Sequence, residues 1–344
     1  MNGAGSCHGW PAVQRVGWRG RIAIAAGLAI VLTGCSSAPK ATVASGPSSV
    51  AILIGGFGSS LPASSYDPLT QTSAALTATE STFDPDPTKE PPGCNAQPDM
   101  VATLRSGGAL ILPFSYNGVQ LTGTATHPTA TVAAYPSSLP STALPQAIAP
   151  AIASEVNQIH ALWPATRVIV VGHSEGGYVA EQYFLNNFSG SKEAEVAGIF
   201  SLDSPINGIQ NQAEVASLLS AIKIPASAAL LSQFQSAWTD ATANDAAILA
   251  KEGTASVYVP VGTPNDNVYL IADAPAAGLI SQVLVGSDGQ PKTSGSPNFI
   301  DPAAPPVVGI SNPLGVLASH QCVMDSAAVI KAVAARLPGK AAGQ

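Results

Sequence analysis

The segment GHSEG (172–176) has the residue types and spacing of a serine nucleophile site, with Ser174 at its centre. In the G-x-S-x-G pattern the serine occupies a strained turn between a strand and a helix, and the glycines leave room for that turn. Here the pattern directly follows the apolar run RVIVV (167–171) and opens the helical segment 175–188. This context favours a nucleophile over an ordinary strand-to-helix turn, and the chemistry it predicts is acyl transfer.

A serine nucleophile needs a base, which in sites of this kind follows the serine in the chain. His320 is the single histidine after Ser174. His127 and His160 come too early, and His173 lies inside the motif, where its side chain is expected to point away from the serine. By elimination we predict that His320 is the base, and the alternative is a solvated loop histidine.

Two aspartates are candidates for the acid that orients the base and stabilises its charged form. Asp266 follows the apolar run SVYVPVG (256–262), and Asp203 ends the run AGIFSLD (197–203). Either position lies at a strand end that can reach the base. We prefer Asp266 and keep Asp203 as the alternative acid.

Two backbone N–H groups are predicted to stabilise the oxyanion that acyl transfer generates. One belongs to Glu175, the residue after the nucleophile. The other is expected in the turn GGFG (55–58) after the first apolar run, at Phe57. The alternative for this segment is a plain tight turn without a catalytic role.

The elements that must position these residues are short apolar runs that alternate with helical segments. The apolar runs cover residues 49–58, 109–114, 167–171, 197–203 and 256–262. The helices are predicted at 97–105, 144–163, 175–188 and 322–337. We interpret residues 59–97 and the polar segment after residue 114 as loops. Continuous apolar strands between helices predict a mostly parallel central sheet with helices on both faces. Ligands bind at the carboxyl ends of such strands.

Composition excludes several classes of protein. The chain has 344 residues and a formal net charge of −7, with no cluster of Lys and Arg, which argues against nucleic acid. The histidines are scattered and no C-x-x-C pair occurs, so no metal or other cofactor is predicted.

The N-terminal region resembles an export signal. A basic region around Arg15 to Arg21 precedes the apolar segment 22–32, which is shorter than the roughly 20 residues of a spanning helix. The sequence LTGC then ends at Cys35 and resembles a bacterial lipobox. This resemblance implies a lipoprotein signal peptide (1–34), a lipidated Cys35, a flexible tether (35–48) and a protein anchored to the outer face of the cell membrane. The alternative is an ordinary secretory signal with a chance cysteine.

Export also bears on the other cysteines. Once the signal is removed and Cys35 is lipidated, Cys94 and Cys322 remain in an oxidising compartment. We predict a disulfide between them, and the alternative is two free thiols.

Taken together, the motifs resemble the α/β-hydrolase superfamily, and within it exported lipases and esterases. GHSEG (172–176), LDSP (202–205), GTPND (262–266) and the late SH (319–320) occur in the order of that family. The resemblance covers about residues 49 to 338 and implies an α/β-hydrolase domain (49–344) with a Ser-His-Asp triad. Two features depart from the family: Gly55 stands where many lipases have His, and the usual first antiparallel strands look absent, so we expect six or fewer strands. The lipobox adds a resemblance to surface lipoprotein hydrolases of high-GC Gram-positive bacteria.

Residues 205–253 lie where lipases insert a lid, after the strand that ends at Asp203. Their apolar residues recur at helical spacing, which predicts a helical cap over an acyl pocket or helices that merely cover the sheet.

The function that follows is a serine esterase or lipase acting on carboxylic esters of acyl or lipid type. Phospholipase, thioesterase and cell-envelope acyl hydrolase or transferase activities would use the same triad. A non-catalytic surface lipoprotein that uses the fold as a binding scaffold is the alternative from another class.

Overall fold

A computed structural model describes a little over half of the chain. The described residues are 46–84, 99–189, 195–205, 216–217, 219–220, 223, 225–239, 247, 251, 257–261, 284–285, 291–292 and 320–338. The predicted signal peptide, the lipidated Cys35 and the greater part of the tether lie outside them, so these assignments stay predictions.

The regular elements are numbered in chain order. The strands are β1 (Ser49–Ile54), β2 (Ser64–Tyr66), β3 (Ala109–Pro113), β4 (Val119–Thr124), β5 (His127–Val132), β6 (Arg167–His173), β7 (Val196–Leu202), β8 (Tyr258–Val261), β9 (Leu284–Val285) and β10 (Pro291–Lys292). The helices are α1 (Ala74–Phe83), α2 (Met100–Ser106), α3 (Pro145–Leu162), α4 (Glu175–Asn186), α5 (Ala228–Thr239) and α6 (Ala327–Ala334), with 3-10 turns at Pro68–Thr70 and Cys322–Asp325.

The central sheet has five strands in the order β3-β1-β6-β7-β8. Every neighbouring pair is parallel. The strands are buried along almost their whole described length, for example Val50 to Ile54 in β1, and the half-buried Arg167 at the start of β6 is the exception among the described side chains. Burial on both faces explains why these runs read as continuously apolar rather than alternating.

Helices cover both faces of this sheet. Alternate β1 residues Val50, Ile52 and Ile54 pack with α3 and α4 on one face. Ala51 and Leu53 pack with α1, α2 and α6 on the other. The predicted α/β fold class, with a mostly parallel sheet between helices, is therefore confirmed, and α5 provides a helix after the strand that leads to Asp203.

The strand order reverses at β1. The chain passes from β1 to β3 on one side and returns to place β6 on the other side of β1. In open parallel sheets a crevice forms at such a reversal, outside the carboxyl ends of the two strands, and ligands bind there. The turn at residues 55–58 and Ser174 follow these two strand ends directly.

Two regions interpreted as loops contain regular structure, and that part of the interpretation was wrong. Residues 59–97 include β2 and the helix α1, whose N-terminal amide at Leu76 is capped by the Ser73 side chain. The segment after residue 114 forms the β4–β5 hairpin, which joins β2 in a three-stranded antiparallel sheet. Val119 and Leu121 alternate inward along β4, so the hairpin carries a half-buried pattern that its many polar residues obscure.

Two helices differ in detail from the prediction. Helix α3 begins at Pro145 and continues through Pro150 without interruption of its assignment. The predicted helix 322–337 is divided: a 3-10 turn spans Cys322–Asp325, and Ser326 then caps α6 through the amide of Val329. Among the described residues, no helix is both long enough and apolar enough to span a bilayer.

Candidate active site

Ser174 adopts a backbone conformation that non-glycine residues rarely occupy. Its φ is 57° and its ψ is −128°, at the junction between β6 and α4. Such conformations cost about 1–3 kcal/mol and persist where the surrounding structure imposes them, which is common at active sites. Its amide donates to the carbonyl of Leu202 at 2.9 Å, whereas its side chain does not cap α4. The hydroxyl is therefore not used to close the helix.

The two glycines of the motif are required by close packing, as the sequence predicted. A side chain at Gly172 would collide with the carbonyl of Gly176. A side chain at Gly176 would collide in turn with the carbonyl of Ile54 at the end of β1. The strand-turn-helix geometry at Ser174 thus depends on both positions, and it brings the turn against the neighbouring strand.

The turn after β1 lies against the candidate nucleophile. A Cβ atom placed on Gly56 would be 2.6 Å from the Cβ of Ser174 and 2.7 Å from the carbonyl oxygen of His173. Only glycine permits this approach. The next residue, Phe57, is the predicted oxyanion donor, so the structure brings the turn that carries it next to Ser174.

Side chains outside the turn hold its carbonyl groups. The Tyr116 hydroxyl donates to the carbonyl of Gly55 at 2.9 Å. The Ser59 hydroxyl donates to the carbonyl of Gly56 at 2.7 Å and lies 3.2 Å from the Tyr135 hydroxyl. Sequence reasoning missed Ser59, Tyr116 and Tyr135, because they lie in segments interpreted as loops.

His320, the predicted base, lies beside the motif. The Nε2 of His173 donates to the carbonyl of His320 at 3.0 Å, and the two rings are 4.6 Å apart between centroids. Both residues are buried. Burial first, and the proximity of His320 second, lower the pKa of His173 to about 3, so His173 is neutral and its Nε2 carries the donated proton. The neutral His173 ring thus holds the backbone of the His320 segment through this hydrogen bond.

Of the two candidate acids, only Asp203 lies within the described residues. Asp203 lies at the carboxyl end of β7, is 2% exposed, and has a φ of 41° in the left-handed region. Its amide donates to the carbonyl of Val261 at 2.8 Å, and it directly follows the residue that pairs with Ser174. Asp266, the preferred acid, lies outside the described residues.

Glu175 is wholly buried at the first position of α4. Its backbone N–H belongs to the first helical turn, whose amides have no partner within the helix and favour negative charge. Its carboxyl group lies 3.5 Å from the Tyr116 hydroxyl. Burial raises the pKa of this carboxyl well above its usual range.

Helix α5 covers one side of the site. Leu230 and Phe234 are fully buried and form an apolar cluster with Tyr178 of α4. The Phe234 ring lies 6.3 Å from Phe57 and 5.3 Å from Tyr178, between centroids. This helix therefore packs on the turn after β1 and on the first turn of α4, at the strand ends rather than on a face of the sheet.

Other predictions concern residues that are only partly described. Cys322 begins the 3-10 turn Cys322–Asp325, but Cys94 lies outside the described residues, so the disulfide stays a prediction. Within the described ranges, no group of three or more His, Cys, Asp or Glu side chains has the arrangement to hold a metal ion.

Comparisons with known proteins find similarity only in solved structures. No family model matches the chain, and no curated protein matches it. The chain is similar to a highly thermostable carboxyl esterase from Bacillus coagulans, solved in complex with glycerol, at 13% identity and a TM-score of 0.27, over 52% of this chain and 41% of that one. It is also similar to the product of gene lin2722 from Listeria innocua, at 16% identity and a TM-score of 0.26, over 54% of this chain and 62% of that one. This chain thus spans well under the full length of either protein, and at these low TM-scores the assignment of function depends on its own geometry.

Proposed function

We propose that this protein is a serine hydrolase of the α/β-hydrolase type that cleaves carboxylic esters. The observation that carries the proposal is the strained Ser174 at the carboxyl end of β6, with Gly56 of the turn after β1 packed against it and its neighbour His173 bonded to the carbonyl of His320. A serine held in this conformation, with its hydroxyl free from helix capping, lies at the strand ends where ligands bind in parallel sheets and has the backbone geometry of a nucleophile turn.

The proposed reaction proceeds through an acyl-enzyme. The Ser174 hydroxyl oxygen attacks the ester carbonyl carbon, and His320 takes the hydroxyl proton. The N–H groups of Phe57 and Glu175 stabilise the oxyanion, which collapses as His320 returns the proton to the leaving alcohol. Water, deprotonated by His320, then attacks the acyl-enzyme, releases the carboxylic acid and restores Ser174. Asp266, or alternatively Asp203, orients His320 and stabilises its charged form.

The cluster around α5 supports an apolar acyl group as the substrate's acid part. Phe57, Tyr178 and Phe234 form a mostly buried apolar cluster between α5, α4 and the turn after β1. Displacement of α5 would open this cluster to a hydrocarbon chain, whose transfer out of water is favourable. Esters, thioesters and phospholipids would all present an acyl chain to the cluster. We propose that α5 acts as the predicted cap and select carboxylic esters as the first substrate class to test.

The proposal is tested by active-site labelling of the mature protein from residue 36 onward. A fluorescent fluorophosphonate is expected to label the wild type and not Ser174→Ala, and p-nitrophenyl esters of increasing chain length should then be hydrolysed by the wild type alone. A folded wild type that is neither labelled nor active would contradict the enzyme assignment. The non-catalytic binding scaffold would then be the better interpretation.

We also propose that the protein is exported and anchored to the outer face of the membrane through a lipidated Cys35. The basic region, the apolar segment 22–32 and the sequence LTGC (32–35) support this proposal. Incorporation of a labelled fatty acid into the wild type but not into Cys35→Ala would be the expected result. Equal incorporation into both would contradict it.

A further inference from the structure

The peptide units of the turn after β1 are held by their carbonyl oxygens. In a planar trans peptide the C=O and the following N–H point in opposite directions. Ser59 holds the carbonyl of Gly56, and this contact fixes the direction of the Phe57 N–H. Tyr116 holds the carbonyl of Gly55 and likewise fixes the preceding peptide. The direction of the Phe57 N–H, the candidate oxyanion donor, therefore depends on the hydrogen bonds that the turn carbonyls accept from Ser59 and Tyr116.

Glu175 contacts one of the side chains that hold the turn after β1. Its backbone belongs to the first turn of α4, next to Ser174, while its carboxyl Oε2 lies 3.5 Å from the hydroxyl of Tyr116. The Tyr116 hydroxyl has one proton and two acceptors within reach, and the carbonyl of Gly55 at 2.9 Å is a nearer acceptor than the Oε2 of Glu175 at 3.5 Å. The contact with Glu175 is then favourable when the carboxyl group donates.

The surroundings of Glu175 favour a carboxyl group that carries its proton. Within the described residues, its Oε1 is buried without a hydrogen-bond partner, and no ion pair includes it. The titratable groups that face it are the hydroxyls of Tyr116 and Tyr135. Burial raises the pKa of Glu175 well above its usual range, and the contact with the Tyr116 hydroxyl opposes this shift only in part.

We propose that Glu175 is a positioning residue of the oxyanion site, whose carboxyl group donates to Tyr116 and so holds the carbonyl of Gly55 and the turn that carries Phe57. One residue then connects the two halves of the site: its amide serves as one oxyanion donor and its side chain orients the turn that supplies the other. This inference rests on the proposed function, because the orientation of the turn matters only if an oxyanion forms there.

The test compares variants that keep or remove the donor. Glu175→Gln retains a neutral group that donates to Tyr116, whereas Glu175→Met keeps a similar volume and removes the hydrogen bond. Tyr116→Phe removes the intermediate hydroxyl. Glu155 of α3 supplies a matched control, since it is also a buried carboxyl, 2% exposed, and burial raises its pKa to about 8. Each variant is assayed for kcat and KM with a p-nitrophenyl ester, for the rate of fluorophosphonate labelling and for melting temperature.

We expect Glu175→Gln to retain activity within about threefold, and Glu175→Met and Tyr116→Phe to lower kcat by roughly 10- to 100-fold with little change in KM, because the lost contact acts on the transition state. Glu155→Met should leave kcat unchanged. In the wild type, kcat should fall at high pH as Glu175 ionises, and this fall should be absent in Glu175→Gln.

Three outcomes would overturn the inference: undiminished kcat in Glu175→Met, equal losses in Glu175→Gln and Glu175→Met, or a loss confined to KM. Wild-type labelling separates these outcomes from a failure of the proposed function. If Ser174 is labelled and Glu175→Met is labelled at the same rate, only the role of Glu175 is wrong. If the wild type is not labelled at all, both proposals fall.

Discussion

The turn after β6 is shaped by close packing around its own glycines, whereas the turn after β1 is held by hydrogen bonds from side chains outside it, namely Ser59 directly after the turn and Tyr116 far along the chain. At the β6 turn, Gly172 and Gly176 admit the close backbone contacts that the strained Ser174 requires. At the β1 turn, the carbonyl groups are held by Ser59 and by Tyr116, which lies 61 residues from Gly55. The first of these neighbouring strand ends is therefore defined by close backbone packing, and the second by side-chain hydrogen bonds, one of which comes from a distant part of the chain.

This difference matches the tasks that we propose for the two turns. The β6 turn presents the nucleophile, whose reaction fails without proton transfer, while the β1 turn stabilises charge in the transition state. Loss of a group that orients the base costs more than loss of one oxyanion donor. Substitutions on the two sides should therefore differ in magnitude.

The largest loss of kcat is expected on substitution of the acid that orients His320, the base for Ser174. Asp266→Asn should lower kcat on the order of 10⁴-fold, because the neutral amide favours the wrong tautomer of His320. Asp203→Asn should retain most of the activity. Asn tolerates the left-handed backbone of Asp203, so this substitution tests the carboxylate without disturbing the turn. The measurement is kcat for both variants, with melting temperature as the control for folding. A 10⁴-fold loss in Asp203→Asn would reverse the assignment, and small losses in both would contradict it.

A smaller effect is expected at the β1 turn. Gly56→Ala should lower kcat by about 10²- to 10³-fold, because the added methyl group contacts Ser174 and displaces the turn from the oxyanion. The measurement is kcat together with the rate of fluorophosphonate labelling. Wild-type kcat in this variant would show that the turn adapts without functional cost.

Gly118 provides the matched control for the β1 turn. Its φ is 99°, and a Cβ atom added there would meet nothing within 4 Å. Gly118→Ala should therefore cost on the order of 1–2 kcal/mol of stability through backbone strain and leave kcat unchanged. An activity loss equal to that of Gly56→Ala would show that general destabilisation explains both.

The same difference explains what could be predicted from the sequence. Strands β1, β3, β6, β7 and β8 were predicted because burial on both faces leaves a continuous apolar signature, and Ser174 was found because its requirements are met within five residues. Tyr116 could not be assigned a role, since its partner is a backbone carbonyl 61 residues away that only the fold brings near. Ser59 lies three residues from its partner, but a hydroxyl bonded to a backbone carbonyl leaves no pattern in the sequence. Helix α1 was missed because its Ser and Thr residues are weak helix formers, whereas the burial of Leu76 and Phe83 determines the structure. The alternation of Val119 and Leu121 was the one available signal for the β4–β5 hairpin.

The β6 turn also makes contacts with distant segments, and the contact made by His173 yields the smallest effect. His173 donates to the carbonyl of His320, 147 residues away, and its pKa is lowered from 6.5 to about 3, chiefly by burial. Between these two pH values the unfolded chain binds a proton that the folded chain excludes. The free energy of unfolding therefore has its full value above about pH 6.5 and falls as the pH drops toward 3.

For His173 alone this linkage amounts to about 2 kcal/mol between pH 7 and pH 5, at about 1.4 kcal/mol per pKa unit. His173→Gln keeps a donor for the His320 carbonyl but does not titrate, so urea unfolding at the two pH values should show a smaller loss for this variant than for the wild type. The exposed His127 of β5 offers the control, and His127→Gln is expected to follow the wild type. An equal loss in all three proteins would mean that His173 becomes protonated in the folded state. The contact between the β6 turn and the His320 segment would then tolerate a charge, and the β6 turn would depend on its close backbone packing.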